Sequence, residues 1–103
     1  VEGNFISRSD LKLFLQRGAQ SFISLVDVRP AFNQRKFFGW RIVGYRGPGN
    51  IRLGDIVISV NNKPIERPDQ FMAVWNGLAT DKELVIDLSR DGKRISMHYS
   101  IVD

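Results

Sequence analysis

His98 is the one imidazole of the chain, and it stands between Ser96 and Ser100. A serine near a histidine is the beginning of nucleophilic chemistry, in which the imidazole takes the hydroxyl proton while an acid orients it. Ile95, Met97, Tyr99 and Ile101 alternate with these residues, so His98 belongs to the outward face of a strand with Ser96 and Ser100. Nothing else in the sequence converges there. One histidine and no cysteine leave only scattered carboxylates, without the spacing of a metal site. Asp55 follows Gly54 at a corner leading into a strand, where an aspartate bonds nearby backbone N–H groups. Gly44, Gly47 and Gly49 are not followed by the Lys-Ser/Thr of a phosphate loop. The expectation is a protein that is not an enzyme and uses no cofactor or metal.

The elements around these residues follow from spacing. Ser7 and Asp10 form an N-cap and its third position, with Ile6 and Leu11 placed as a hydrophobic staple, so a helix starts near Arg8. Leu11, Phe14, Leu15, Phe22, Leu25 and Val26 continue one apolar face to about Asp27, and Gly18 marks a kink or a split into two helices. Val28 to Phe32 reads as a short strand in which Pro30 argues for a sheet edge. A turn over residues 33–36 leads to a strand from Gly39 to Tyr45, and Gly47-Pro48-Gly49-Asn50 must be a loop. Ile56 to Val60 is the next strand, ended by the polar turn Asn61-Asn62-Lys63-Pro64. Pro68 opens a short helix through Leu78. Glu83 to Arg90 and Lys93 to Ile101 form a hairpin about Asp91-Gly92. The fold class is α+β with a mainly antiparallel sheet.

With 103 residues there is room for one core. A hydrophobic fraction of 43% and a charged fraction of 25% are those of a globular domain. No stretch approaches the ~18 apolar residues of a spanning helix, and the chain reads as a soluble piece of a longer protein in which residues 1–4 are linker. The net charge of +4 raises nucleic acid as a partner, but the fifteen basic residues are dispersed and no nucleic-acid motif accompanies them. Nucleic acid is therefore not expected as a partner.

Gly39-Trp40-Arg41-Ile42, then Pro48-Gly49, Leu53-Gly54-Asp55-Ile56-Val57, Val60-Asn61-Asn62 and Ile65, the Pro68 to Leu78 helix and the closing hairpin resemble, in order, the elements of bacterial PDZ domains. With the Ile-Ser-Arg-Ser-Asp-Leu helix start and the ending Asp91-Gly92-Lys93 to Tyr99-Ser100-Ile101, the pattern is similar to the periplasmic region of the inner-membrane component C of type II secretion systems. The resemblance implies a small, mainly antiparallel sheet or partly open barrel with an N-terminal amphipathic helix and one short helix flanking a peptide groove, with linker and N-terminal helix over residues 1–27 and the PDZ-like domain over 28–103. It implies a place on the periplasmic side of the bacterial inner membrane, held by an anchor outside this chain, and a part in selecting exported proteins. One departure stands out: four residues, Asn50 to Leu53, separate Gly49 from Gly54, where such domains carry a small helix.

A binding role also has a physical basis. An edge strand near Ala31 and Phe32 would offer backbone N–H and C=O groups to an extended peptide, and Pro68, Met72 and Trp75 would line the helical wall. Trp75 serves equally well as core. Arg29 is a candidate anion partner or a solvated side chain. The expected partners are proteins or extended peptides, in secretion machinery or among exported proteins, with a homo-oligomer as a further option. Two other readings stay open: the regulatory PDZ module of an envelope serine protease, and a spacer or dimer contact with a closed groove. The apolar stripe of the first helix must dock on its own domain or on a second copy.

Overall fold

A computed structural model describes residues 5–46 and 51–103. In chain order the elements are β1 (Phe5–Ser7), α1 (Arg8–Gln16), α2 (Ala19–Ile23), β2 (Val26–Asn33), β3 (Lys36–Tyr45), β4 (Ile56–Val60), β5 (Lys63–Pro64), α3 (Pro68–Gly77), β6 (Glu83–Arg90) and β7 (Lys93–Val102). The strands form one mixed sheet in the order β1-β7-β6-β4-β3-β2, with β5 on β4, and it does not close into a barrel. All pairs are antiparallel except β1 with β7. The fold is thus α+β, as the patterns imply. The Gly47 to Asn50 loop falls outside the described residues, and Ile51 to Gly54 form no helix.

Tight turns set the strand pairing. Asp91 and Gly92, at φ 53° and 80°, make a two-residue turn that brings Arg90 opposite Lys93, which phases Leu88 against Ile95 and Ile86 against Met97. Leu88 is fully buried, opposite Val57 of β4, and Ile42, Val57, Val74, Leu78 and Ile101 are buried with it in the core. Asn61 and Asn62 turn at φ 51° and 61°, a conformation asparagine tolerates better than most residues.

The N-terminal segment is built into this framework. Ser7 caps α1 by accepting from the Asp10 N–H, as the sequence implies. The apolar stripe is divided at Gly18, where φ is +87° and one helix ends before the next begins. The Arg8 guanidinium donates to the carbonyls of Ala79 (3.0 Å) and Asp81 (2.7 Å), just past the end of α3. A cation thus sits where the last carbonyls of a helix lack partners and the helix dipole is negative. β1 adds three residues alongside Ser100 to Val102 of β7, a strand that local spacing does not announce.

β3 and β4 approach closely at Gly39. A Cβ there would lie 2.5 Å from the Val57 carbonyl oxygen and 2.8 Å from Ile56 Cγ2. Backbone cannot yield as a flexible side chain can, so Gly39→Ala is expected to cost about 2 kcal/mol. Urea denaturation checks this.

Candidate functional site

β2 lies at the end of the sheet and pairs only with β3 among the described strands, so its outer edge carries unpaired backbone groups. Pro30 sits on this strand opposite Trp40. A residue without an N–H is tolerated there because an edge strand has a side that makes no ladder. The pairing shifts register twice, between Asp27 and Val28 and between Ala31 and Phe32, leaving Val43 and Phe38 of β3 without opposite residues. Such bulges bend and twist a strand pair locally. At the tip, Phe32 is 64% exposed and its ring meets Phe37 edge-on at 6.3 Å, while Phe37 meets Trp40 at 5.2 Å. Trp40 is fixed in turn by donating from Nε1 to the Ile65 carbonyl (2.7 Å).

The six residues singled out from sequence divide by environment. Ala31 is 4% exposed and its side chain belongs to the interior, so it would meet a ligand through its backbone alone. Arg29 is exposed, donates to its own neighbour's carbonyl at Val28 (2.9 Å) and lies directly opposite Arg41. Two like charges at a cross-strand pair repel, which suits an anion between them better than it suits a bare sheet. Pro68 is exposed at the first position of α3, where its missing N–H costs no helix bond. Met72 is 40% exposed.

Trp75 is 8% exposed. It is covered by Phe14 (ring centroids 5.6 Å apart) and Phe22 (5.8 Å), and Phe71, one turn earlier on α3, lies 6.1 Å from it. Phe22 also stacks on Phe71 at 6.2 Å with an interplanar angle of 15°, and Phe14 meets Phe22 edge-on at 5.7 Å. The N-terminal apolar stripe therefore docks on its own domain, against α3. Because α2 leads through Ser24 and Leu25 into β2, it spans from the beginning of the edge strand to α3. The Arg46 backbone N–H donates to Leu25 O and its Nη2 to Ser24 O, both at 2.8 Å, and these bonds pin the end of this span to β3. Phe22 was legible as part of the first apolar face, but its meeting with Phe71 of α3 was not.

The polar face of β6 and β7 carries the other side chains with chemistry. His98 Nε2 lies 2.6 Å from Glu83 Oε2 on exposed sheet, and Asp87 accepts from the hydroxyls of Ser59 (3.1 Å) and Ser96. The Ser96 bond holds the Asp87 carboxyl below the usual carboxylate range. The Ser96 hydroxyl is thus turned toward a carboxylate rather than toward the imidazole. Among the described residues no group of three or more His, Cys, Asp and Glu stands where it would hold a metal ion, and no helix is long and apolar enough to cross a membrane.

No family model matches the chain, and no curated protein matches it in sequence. Solved structures do match in shape. The PDZ domain of the pullulanase C protein of the type II secretion system from Klebsiella pneumoniae, solved in complex with a fatty acid, has a TM-score of 0.56 and 18% identity over 87% of this chain and 98% of that one. The PDZ domain of EpsC from Vibrio cholerae, in the longer of two fragments, has a TM-score of 0.59 and 15% identity over 89% of this chain and 92% of that one. Against the shorter fragment the share of this chain that aligns drops to 73%, as expected if part of the N-terminal segment has a counterpart in the longer one. The order of strands and helices, with an edge strand at β2, thus gives this chain a PDZ fold, of the form seen in these secretion-system domains.

Proposed function

We propose that this domain is a non-enzymatic interaction module of a type II secretion machine, taking an extended peptide or sheet edge of an exported protein or machine partner along β2. The observation that supports this most is the outer edge of β2, unpaired among the described strands, in a fold shared with PDZ domains of two secretion components. Main-chain bonds to such an edge give affinity to any extended segment, and side chains of a neighbouring helix give selection. Arg29, Ala31 and Phe32 would border the incoming strand, with Pro68 and Met72 on the helical wall and Trp75, singled out with them from the sequence, covered by Phe14 and Phe22. In this reading the domain works on the periplasmic side of the inner membrane, held there by a segment outside this chain.

Titration of a labelled library of extended peptides against the domain tests the proposal. Saturable binding is expected, weakened about ten-fold by Met72→Glu, which sets a charge against an apolar wall. No saturable binding by any peptide overturns it. A second reading, an amphiphile with an acidic head, is favoured by the cleft of about 240 Å³ where Arg17 joins Phe14, Phe22 and Leu25. A long-chain fatty acid in the same titration separates the two, because it would compete with peptide only if both use this face.

A further inference from the structure

The position of Phe22 says something about the chemistry of the ligand, on the premise that the groove reading above holds. We infer that Phe22 occupies the seat of a ligand side chain, and that the partner segment presents a large aromatic or apolar residue which displaces Phe22 from Phe71 and Trp75.

Three features carry this. The first is the seat. Phe71 and Trp75 stand one helical turn apart on α3, and Phe22 lies stacked on one and tilted on the other, with Phe14 closing the far side. Three aromatic rings around a fourth at 5.7 to 6.2 Å form a site selective for flat apolar groups. Because α2 continues into β2, this seat lies near the beginning of the strand edge. A segment pairing with β2 would project alternate side chains toward its flanking walls.

The second is how weakly the occupant is held. α2 has five residues, none of them buried, and its N-cap is Gly18, with no side-chain cap bond. A helix of this length has no stability of its own and persists only through tertiary contact. Its contact with α3 is made through the ring of Phe22, while Ile23 remains 45% exposed. Segments with few buried apolar contacts open locally at free energies well below that of global unfolding.

The third is the geometry of opening. Gly18 has φ +87°, and a Cβ on it would meet nothing within 4 Å, so glycine is required by the backbone conformation and not by crowding. At the other end the Arg46 bonds to Ser24 and Leu25 hold the chain to β3. Between these two points, opening of residues 19–23 would break the bonds from the Ser24 and Leu25 N–H groups to the Gln20 and Phe22 carbonyls but none of the β2–β3 pairs, which begin at Val26. The cleft lined by Arg17, Ser21 and Ser24 beside Phe22 leaves space next to the ring. Occupancy of the seat by Phe22 lowers the apparent affinity for a ligand by the fraction of molecules in which the seat is free.

The test uses the whole 103-residue chain and pairs of extended peptides that differ only in one residue, tryptophan or alanine, read by fluorescence anisotropy. Phe22→Ala is expected to tighten the tryptophan peptide about ten-fold and to leave the alanine peptide within two-fold. Hydrogen exchange on the unaltered chain gives a readout independent of how the variant folds: saturating tryptophan peptide is expected to speed exchange of the amides of residues 19–24. If peptides saturate the unaltered domain but Phe22→Ala weakens or does not change the tryptophan peptide, or if peptide slows exchange in residues 19–24, the role of Phe22 is overturned while the groove remains. If no peptide binds either protein, the groove reading fails and the Phe22 inference fails with it.

Discussion

Replacing Asp55 by alanine is expected to lower the stability of the domain by about 3 kcal/mol, read as a reduced urea midpoint at unchanged slope. Asp55 is 1% exposed. Its carboxylate accepts two bonds from the guanidinium of Arg90, from Nε (2.9 Å) and Nη2 (2.8 Å), and a third from the Arg52 backbone N–H (2.9 Å). Such a two-pronged pair is strong because the planar guanidinium matches the carboxylate, and removing one partner leaves the other charge without compensation. The loss falls at the lower end for broken buried pairs, because the Arg90 side chain, one-fifth exposed, can turn toward water.

The same bonds give a pH dependence. Hydrogen bonds from Arg90 hold the Asp55 carboxyl below the usual carboxylate range, against the opposing push of burial, and the Arg52 N–H adds to them. A folded-state value below the unfolded one means the stability is fully present above the unfolded value, about 3.9, and is lost as pH falls through the folded value. Asp69 and Asp87, both more exposed, are lowered as well, by Arg67 and by Ser96, so the informative quantity is the gap between the unaltered protein and Asp55→Asn. That gap is expected to be constant from neutral pH down to about 5 and to narrow below about 4. A gap that does not change with pH would show that the pair contributes nothing through protonation.

What could be read from the chain before its structure was known follows the distance over which each interaction acts. The β6–β7 hairpin was legible because its turn residues and the alternation of Ile95, Met97, Tyr99 and Ile101 lie within a few positions of one another. Ser7 as a cap and Pro68 as a helix start were legible for the same reason. β1 was not, because its partners Ser100 to Val102 lie at the other end of the chain, and three residues carry no period. Asp55 was read as an acceptor for a nearby backbone N–H, which it is for Arg52, but Arg90 lies thirty-five positions away and gives no local signal. At the candidate site the edge character of β2 could be read from Pro30 alone. The covering of Trp75 could not, because an apolar stripe states that it must dock without saying where.

Trp75 is where these two kinds of information meet, and Trp75→Ala is expected to cost about 3 to 5 kcal/mol. The indole lies inside a cluster of Phe14, Phe22 and Phe71, so its removal takes away both the transfer free energy of a large ring and the aromatic contacts around it. For a domain of this size the change corresponds to a fall in Tm on the order of 15 °C or more. Met72, three positions earlier and 40% exposed, sets the comparison: Met72→Ala is expected to stay within about 0.5 kcal/mol. The contrast separates two places for Trp75 that the sequence left open. A tryptophan lining an open groove would be largely solvated on one face, and its loss would cost little more than that of Met72. A tryptophan roofed by the N-terminal helices must cost several times more, and Phe14→Ala must then be destabilising too, since it removes part of that roof. If Trp75→Ala costs less than 1 kcal/mol, α1 and α2 do not rest on α3 in solution, the groove stands open, and no aromatic ligand needs to displace Phe22.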